Sequence, residues 1–191
     1  MKNKFFTLIG SLLIVAGLSL CLYNIKLTKE AEFSSKKIIK DLPNEEKTLP
    51  KEELDLNIPS ENIDGIDFIG RLEIPSLNKS LPITADWSYD LMKFYPNRYK
   101  GKRYDQPLIF MAHNYKSHFG DLPELKNKDE IIFVDVLGRK ISYEVVAIEI
   151  IDGLDEEEMI NTEYDLSLFT CNIWDRSTRF TIRAEKIEED L

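Results

Sequence analysis

The chain has 191 residues, enough for one compact domain and a tail, because a domain usually takes about 100 to 200 residues. Hydrophobic residues make up 43% and charged residues 31%, with 8 glycines and 8 prolines, which excludes collagen-like, mucin-like and wholly disordered chains. Acidic residues outnumber basic ones 34 to 25, for a net charge of -9. The positive charge that draws proteins to nucleic acid is therefore missing.

Residues 5–25 carry no charged side chain, and about 20 apolar residues suffice to span a bilayer as a helix. A cleaved signal peptide has a shorter apolar region, of about 7 to 15 residues, and ends in a small-x-small cleavage site. This stretch is longer and ends in Leu-Tyr-Asn-Ile. We therefore predict an uncleaved transmembrane helix over 5–25 after a cytoplasmic tail of residues 1–4.

The charges around this helix do not settle its orientation. Lys2 and Lys4 precede the helix, but a larger set of lysines follows it, at positions 26, 29, 36, 37 and 40. The positive-inside rule, taken alone, does not favour a C-terminus outside the cell.

Residues 26–65 are polar and charged around sparse apolar positions and contain Pro43, Pro50 and Pro59. This composition predicts a stalk or linker, with a possible short helix at 28–41. An alternative is an amphipathic helix that lies on the membrane through Ile38, Ile39 and Leu42.

The pattern changes at residue 66, where short β-type runs separated by turn residues begin. We predict a domain over 66–191 with seven strands, at 66–74, 81–84, 107–112, 130–136, 140–151, 166–171 and 178–187. This spacing is typical of a sandwich or barrel. Gly138 can supply the positive φ of a hairpin over 131–151, and two helical stretches are predicted at 87–95 and 155–160.

The chain has two cysteines and two histidines, whose spacing fits no structural zinc site. Cys21 lies in the apolar N-terminal run and Cys171 near the other end, so we expect no disulfide between them. A free thiol on an exported domain is exposed to oxidation unless it is buried or has a use. In the run 166–171, Leu166 and Leu168 share one face, so Cys171 points outward if the leucines form the core.

Two further residues lie where catalytic groups often occur. His113 ends the apolar run 109–112, and an imidazole there can exchange a proton with a thiol. Arg179 begins the last predicted strand, eight residues after Cys171, so a tight strand-turn-strand would bring the two side by side. A guanidinium in that place is a fixed donor for a developing oxyanion, although most arginines are solvated surface residues.

This ordered set resembles the sortase family. In that family a Thr-Leu-x-Thr-Cys motif carries the nucleophile, and residues 167–171 match it as Ser-Leu-Phe-Thr-Cys, with serine in place of the first threonine. His113 in Ala-His-Asn matches the general acid position, and Arg179 in Arg-Phe-Thr-Ile-Arg-Ala matches the active-site arginine. The segment 119–131 is similar to the segment after the family's histidine, with Asp129 where Gly-Asp is usual.

The resemblance covers roughly 66–187 and implies an all-β fold with short helices. We expect a closed eight-stranded sortase-type β-barrel, preceded by one transmembrane helix and a stalk, with the domain outside the membrane of a Gram-positive bacterium. The implied enzyme is a cysteine transpeptidase that cleaves an LPxTG-like sorting signal between Thr and Gly through a thioacyl-enzyme. It then transfers the protein to a cell-wall or pilin amine, and needs no metal or organic cofactor.

The resemblance also assigns roles to individual residues. Cys171 is the nucleophile, His113 the general acid, and Arg179 the group that holds the substrate and the oxyanion. We expect the neighbouring Ser167, Thr170 and Asn114 to contact the substrate.

Two rival residues and two other functions remain open. Arg176 competes with Arg179, and His118 with His113, but neither rival lies at the end of a predicted strand. The same residues would also suit a Cys-His amidase or protease that passes the acyl group to water. In a non-catalytic, membrane-tethered β-domain, Cys171 would be a core residue.

Overall fold

A computed structural model describes residues 2–42, 47–48 and 57–187. The helices are α1 (Lys2–Asp41), α2 (Tyr89–Met92) and α3 (Glu156–Ile160), and single 3-10 turns lie at Pro75–Leu77 and Leu122–Glu124. The strands are β1 (Lys47–Thr48), β2 (Glu61–Ile63), β3 (Ile66–Ile74), β4 (Lys79–Thr84), β5 (Asn97–Lys100), β6 (Leu108–Met111), β7 (Glu130–Asp135), β8 (Arg139–Asp152), β9 (Leu166–Cys171) and β10 (Thr178–Lys186).

Eight of these strands close into a barrel. Around the barrel the order is β3, β4, β5, β6, β9, β10, β8 and β7, which returns to β3. The β4–β5 and β6–β9 pairs are parallel and the other six are antiparallel. Short β1 and β2 add to the sheet at β8 and β3. The expected closed, eight-stranded β-barrel is confirmed.

All seven predicted strands are present, within two residues at each end. The eighth barrel strand, β5, was not predicted because the sequence of Asn97–Lys100 is mostly polar. In the structure, Arg98 is nevertheless buried and Tyr99 packs on an apolar cluster. The helix predicted at 87–95 is shorter than expected, since Pro96 and β5 follow it closely. Its N-terminus is capped by Ser88, whose hydroxyl accepts from the Leu91 amide.

Alternation along the strands separates two apolar clusters. Leu168 of β9 and Phe110 of β6 point into the barrel, where they are fully buried. The neighbouring Ile109 and Phe169 point outward and pack beneath α3. Full burial of one such side chain stabilises the fold by about 1.5–3 kcal/mol. Strands β6 and β9 are thus held firmly on both faces.

The predicted hairpin over 131–151 is formed by β7 and β8. Gly138 has φ 79° at its turn. The buried carboxylate of Asp135 closes the turn by accepting hydrogen bonds from the backbone amides of Leu137 and Arg139, and from the Arg139 guanidinium and the Tyr104 hydroxyl. Every acceptor site of this buried charge is therefore used.

At the N-terminus, α1 is long and apolar enough to cross a membrane. None of the residues in the most apolar stretch of α1 is buried within the described structure. The segment 5–25 is therefore a candidate membrane anchor.

The remainder of α1 differs from the expected linker. The helix predicted at 28–41 is present, but as a direct continuation of the apolar segment. Ala31, Ser35, Ile38 and Leu42 are buried against the barrel, where Ile38 and Leu42 pack with Phe68 and Tyr95 and others. The same side chains therefore do not serve a helix lying on the membrane, and residues 31–42 are not a free stalk. Residues 43–46 and 49–56 of the predicted stalk lie outside the described part of the chain.

Candidate active site

Strands β6 and β9 bring His113 and Cys171 together. They run parallel, with Met111 opposite Phe169, and the Ala112 amide donates to the Phe169 carbonyl at 3.3 Å. His113 and Cys171 each lie two residues further along. Because neighbouring strands are about 5 Å apart, the imidazole and the thiol leave adjacent strands at the same end of the barrel.

Arg179 joins the pair from the other side. Antiparallel pairing of β9 and β10 places Arg179 directly opposite Cys171. Side chains of directly opposed residues lie on the same face of a sheet, and this face is the outward one that carries Phe169. His113, Cys171 and Arg179 thus form a row across three adjacent strands. Cys171 is only partly buried, as expected for an outward thiol.

The hydroxyls of Thr170 and Ser167 are engaged within the protein. Thr170 is buried and its Oγ1 donates to the Ala112 carbonyl at 2.8 Å, which ties β9 to β6 one residue before the His-Cys pair. Ser167 is fully buried and its hydroxyl accepts from Nη1 of Arg183 at 2.8 Å. Both residues therefore position strands instead of facing a substrate, whereas the partly exposed Asn114 remains accessible.

His113 lies at the start of a closed loop. Its carbonyl accepts from the Phe119 amide at 3.2 Å, and its ring lies 4.9 Å from that of Tyr115, centroid to centroid. Burial, and then the nearby Lys93 ammonium, lower the pKa of His113. Both effects favour the neutral imidazole, the form that can accept a proton from a thiol.

The rival residues are placed differently. His118 is fully buried, and its Nε2 lies 3.0 Å from the carbonyl of Phe94, to which it donates. Arg176 is exposed in the loop between β9 and β10. Neither extends the row formed by His113, Cys171 and Arg179.

A family profile described as Sortase domain matches residues 72–187. The match covers more than half of the chain and includes the whole row of candidate site residues. The chain belongs to the sortase family. Enzymes of this family are cysteine transpeptidases. No curated protein matches the chain.

Solved sortase structures share the fold. Sortase C1 from Streptococcus suis is 23% identical, covers 64% of this chain and 74% of its own, with a TM-score of 0.57. Sortase C1 from Streptococcus agalactiae is 21% identical over 86% of this chain and 90% of its own, with a TM-score of 0.59. Clostridium perfringens sortase C, in a structure with the C-terminal cell wall sorting motif, is 22% identical over 87% and 88%, with a TM-score of 0.57.

Within this sortase fold, two residues that sequence reasoning missed support the site. The first is Arg183 of β10, which is 2% exposed. Its guanidinium donates to Glu149, to Ser167 and to the carbonyls of Glu158 and Met159 at the end of α3. Arg183 thereby fixes α3 over the outward cluster beside Cys171. In the sequence, the alternation of residues 179–184 indicates only that Arg183 lies on the same outward face as Arg179.

The second is Gly153, in the turn after β8. A methyl group there would lie 2.7 Å from Nη1 and 2.9 Å from Cζ of Arg179, and 2.5 Å from the Ser177 carbonyl oxygen. The Arg179 guanidinium packs against this glycine. It donates hydrogen bonds to the backbone carbonyls of Arg176 and Thr178. Nothing in the local sequence distinguishes this glycine from one in an ordinary turn.

Gly153→Ala is therefore expected to displace the Arg179 side chain and to lower kcat/KM for a sorting peptide about tenfold. The melting temperature should also fall, since the backbone around the Ser177 carbonyl oxygen must shift to admit the methyl group, and kcat/KM is therefore compared per folded molecule. Gly65→Ala, at another turn glycine with open space around it, tests for a general effect of turn changes. Equal losses of activity in the two variants would contradict the role of Gly153.

The burial of His118 predicts that the stability of the sortase domain depends on pH. Burial lowers its pKa from an ordinary 6.5 to about 4. Between these values the unfolded chain binds more protons than the folded chain, so stability is present above about pH 6.5 and is lost as the pH falls toward 4. Such a shift corresponds to roughly 3 kcal/mol. Urea unfolding at pH 7 and 4 should show a smaller loss for His118→Gln than for the parent.

Proposed function

We propose that this sortase cleaves a C-terminal sorting signal of the LPxTG type between Thr and Gly and transfers the protein to an amine. The observation that carries the proposal is the outward row of His113, Cys171 and Arg179 across β6, β9 and β10. A partly exposed thiol flanked by an imidazole and a guanidinium has the groups needed for acyl transfer. The sortase C structure with a sorting motif supports this substrate class.

In the first step, Sγ of Cys171 attacks the threonine carbonyl carbon, and the thiol proton passes to His113. Arg179 donates hydrogen bonds to the carbonyl oxygen as negative charge develops on it. The C–N bond then breaks, and the leaving glycine amine takes the proton from His113. The product is a thioester between Cys171 and the threonine carbonyl.

In the second step, an amine of the cell wall or of a pilin attacks the thioester carbon. His113 accepts a proton from this amine, and the thiolate of Cys171 leaves. The acyl group passes from the thioester to the new amide bond, so water does not take part in this step. His113 then gives this proton to the Cys171 thiolate, which restores the thiol and the neutral imidazole for the next cycle.

The proposal includes the placement of the protein. Residues 5–25 anchor the chain in the cell membrane as a single span, residues 1–4 lie in the cytoplasm, and the domain over 66–191 works outside the cell. The candidate anchor in α1 supports this arrangement, because substrates and acceptors of a cell-wall transpeptidase are extracellular. Residues 31–42 belong structurally to the domain on which they pack.

Intact mass measurement with a small panel of sorting peptides tests the reaction. We expect a thioacyl adduct on Cys171 whose mass equals the peptide cleaved after threonine. Adding oligoglycine or hydroxylamine should convert most of the peptide to the aminolysis product. Hydrolysis that an added amine does not divert would instead identify a Cys-His amidase or protease, and a thiol that forms no adduct would favour a non-catalytic domain.

Arg179→Lys is expected to lower kcat/KM by roughly tenfold or more although the charge is retained, because an ammonium cannot reproduce two parallel hydrogen bonds to a carbonyl oxygen. The matched control is Arg176→Lys, at an exposed loop position, which should stay within a few-fold of the parent. Both variants are measured with one sorting peptide. If Arg176→Lys is the impaired variant, the oxyanion role belongs to Arg176.

A further inference from the structure

The carbonyl of Phe94, just after α2, accepts two hydrogen bonds from distant parts of the chain. Oγ of Ser35 donates to it at 3.2 Å. Ser35 lies in residues 31–41, the part of α1 that packs on the barrel and is called here the docked half of α1. Nε2 of His118 donates to it at 3.0 Å. One oxygen atom thus connects the anchor helix with the loop between β6 and β7.

That loop carries the catalytic histidine. It closes through the Phe119 amide and the His113 carbonyl, and through the amides of His118 and Gly120, which both donate to the Tyr115 carbonyl at 2.9 Å. The ring of Tyr115 lies between the two imidazoles, with centroids 4.9 Å from His113 and 5.6 Å from His118. Tyr115 therefore contacts both histidine rings and provides a path of ring contacts between them.

A cleft lies between α1 and this loop. Its volume is about 890 Å³, and its lining includes Lys36 and Lys40 of α1 and Lys116 and Ser117 of the loop. The shared carbonyl of Phe94 therefore provides a defined polar link between two parts of the chain that also line a common cleft.

The hydrogen-bonding state of His118 suits this role. With Nε2 as the donor, Nδ1 carries the lone pair, and it is buried with no hydrogen-bond partner among the residues that the structure describes. Burial keeps the ring neutral, with a pKa lowered to about 4. The imidazole therefore offers one donor, and that donor is directed at Phe94.

We propose that His118 and Ser35 are positioning residues that couple the docked anchor helix to the catalytic histidine through the carbonyl of Phe94. The inference rests on the proposed function of His113. Docking of α1 sets the position of the Phe94 carbonyl, the carbonyl orients the His118 ring, and the ring and Tyr115 orient His113 toward Cys171.

The test uses the full chain in detergent micelles with one sorting peptide. His118→Phe, which fills the site without a donor, should lower kcat about tenfold with KM within about twofold of the parent. His118→Gln, whose amide can donate to the same carbonyl, should restore kcat to within about threefold. Ser35→Ala should lower kcat about threefold, although alanine favours the helix. Combining it with His118→Phe should add little, since both changes act through one oxygen atom.

Lys40→Ala, at an exposed position further along the docked half of α1, is the matched control and should leave kcat unchanged. Equal kcat for the phenylalanine and glutamine variants would show that His118 only fills space. A parent-like kcat for both Ser35→Ala and His118→Phe would overturn the coupling.

Histidine-selective isotope labelling gives a readout that does not need turnover. The chain has two histidines, so the ring signal of His113 is assigned by its persistence in the His118 variants. We expect the His113 signal to shift in Ser35→Ala and His118→Phe, and to stay in place in Lys40→Ala. An unshifted His113 signal in both variants contradicts the inference. If the parent turns over no sorting peptide, the proposed function fails while this spectrum still decides the coupling.

Discussion

Replacing Cys171 with alanine should abolish turnover and the thioacyl adduct while changing the melting temperature by no more than a few degrees. In the proposed mechanism the thiol forms the acyl bond as the nucleophile. Its side chain is outward and only partly buried, so alanine leaves no closed cavity in the barrel. A buried structural cysteine would show the reverse pattern, with activity per folded molecule retained and stability reduced.

Cys21→Ala is the matched control for this change. Cys21 is exposed on the apolar part of α1, far from β9 along the chain, and should be dispensable for turnover in detergent. Thiol labelling of the folded parent adds an independent check, because Cys171 should react without denaturant. Retained adduct formation in Cys171→Ala would remove this residue from the mechanism.

Replacing His113 with alanine should lower kcat by about 10²- to 10⁴-fold, the usual contribution of a general acid–base group. In the proposed mechanism the imidazole has two tasks, to accept the thiol proton and to protonate the leaving amine, and the substitution removes both. Because burial and Lys93 lower the pKa of His113, the acid limb of the rate profile should lie below the ordinary value for histidine. Rates against pH for the parent, with one peptide, measure this limb.

The control for His113→Ala is His118→Gln, which keeps a donor to the Phe94 carbonyl and should remain active within a few-fold. Both variants are compared at the same pH with the amount of folded protein normalised. If His118→Gln is the inactive variant and His113→Ala the active one, the assignment of the acid is wrong.

Most of the barrel could be predicted because its strands carry local signals. The run 166–171 alternates clearly enough to place the leucines inside and Cys171 outside, and the structure agrees. Strand β5 could not be predicted in this way, since Arg98 is buried by contacts with residues distant in sequence, including the Ala85 carbonyl. Tertiary contacts there override local preference.

The docked half of α1 did carry a signal that a search for large apolar residues misses. Ala31, Ser35, Ile38 and Leu42 recur at spacings of four, three and four, which is the period of a helix face. Two of the four are small, so the face reads as polar in sequence although it permits close approach to the barrel.

The sequence could predict that the three candidate site residues lie close together, but it could not predict the contacts that hold them in place. His113, Cys171 and Arg179 stand at strand ends, where chain order and pairing rules bring them together. The contact of Arg179 with Gly153 and the sharing of the Phe94 carbonyl depend on how separate loops approach one another. Such distances have no counterpart in local sequence.

The unbroken run of α1 into the barrel also limits where the enzyme can work. With residues 5–25 in the bilayer, the first fully buried contact, at Ala31, comes roughly 9 Å further along the helix axis at 1.5 Å per residue. In the proposed arrangement, the domain then stands close to the lipid headgroups, because α1 is continuous from the apolar segment to its contacts with the barrel. We therefore expect the enzyme to act on sorting signals and acceptor amines that are held near the membrane surface when they meet Cys171.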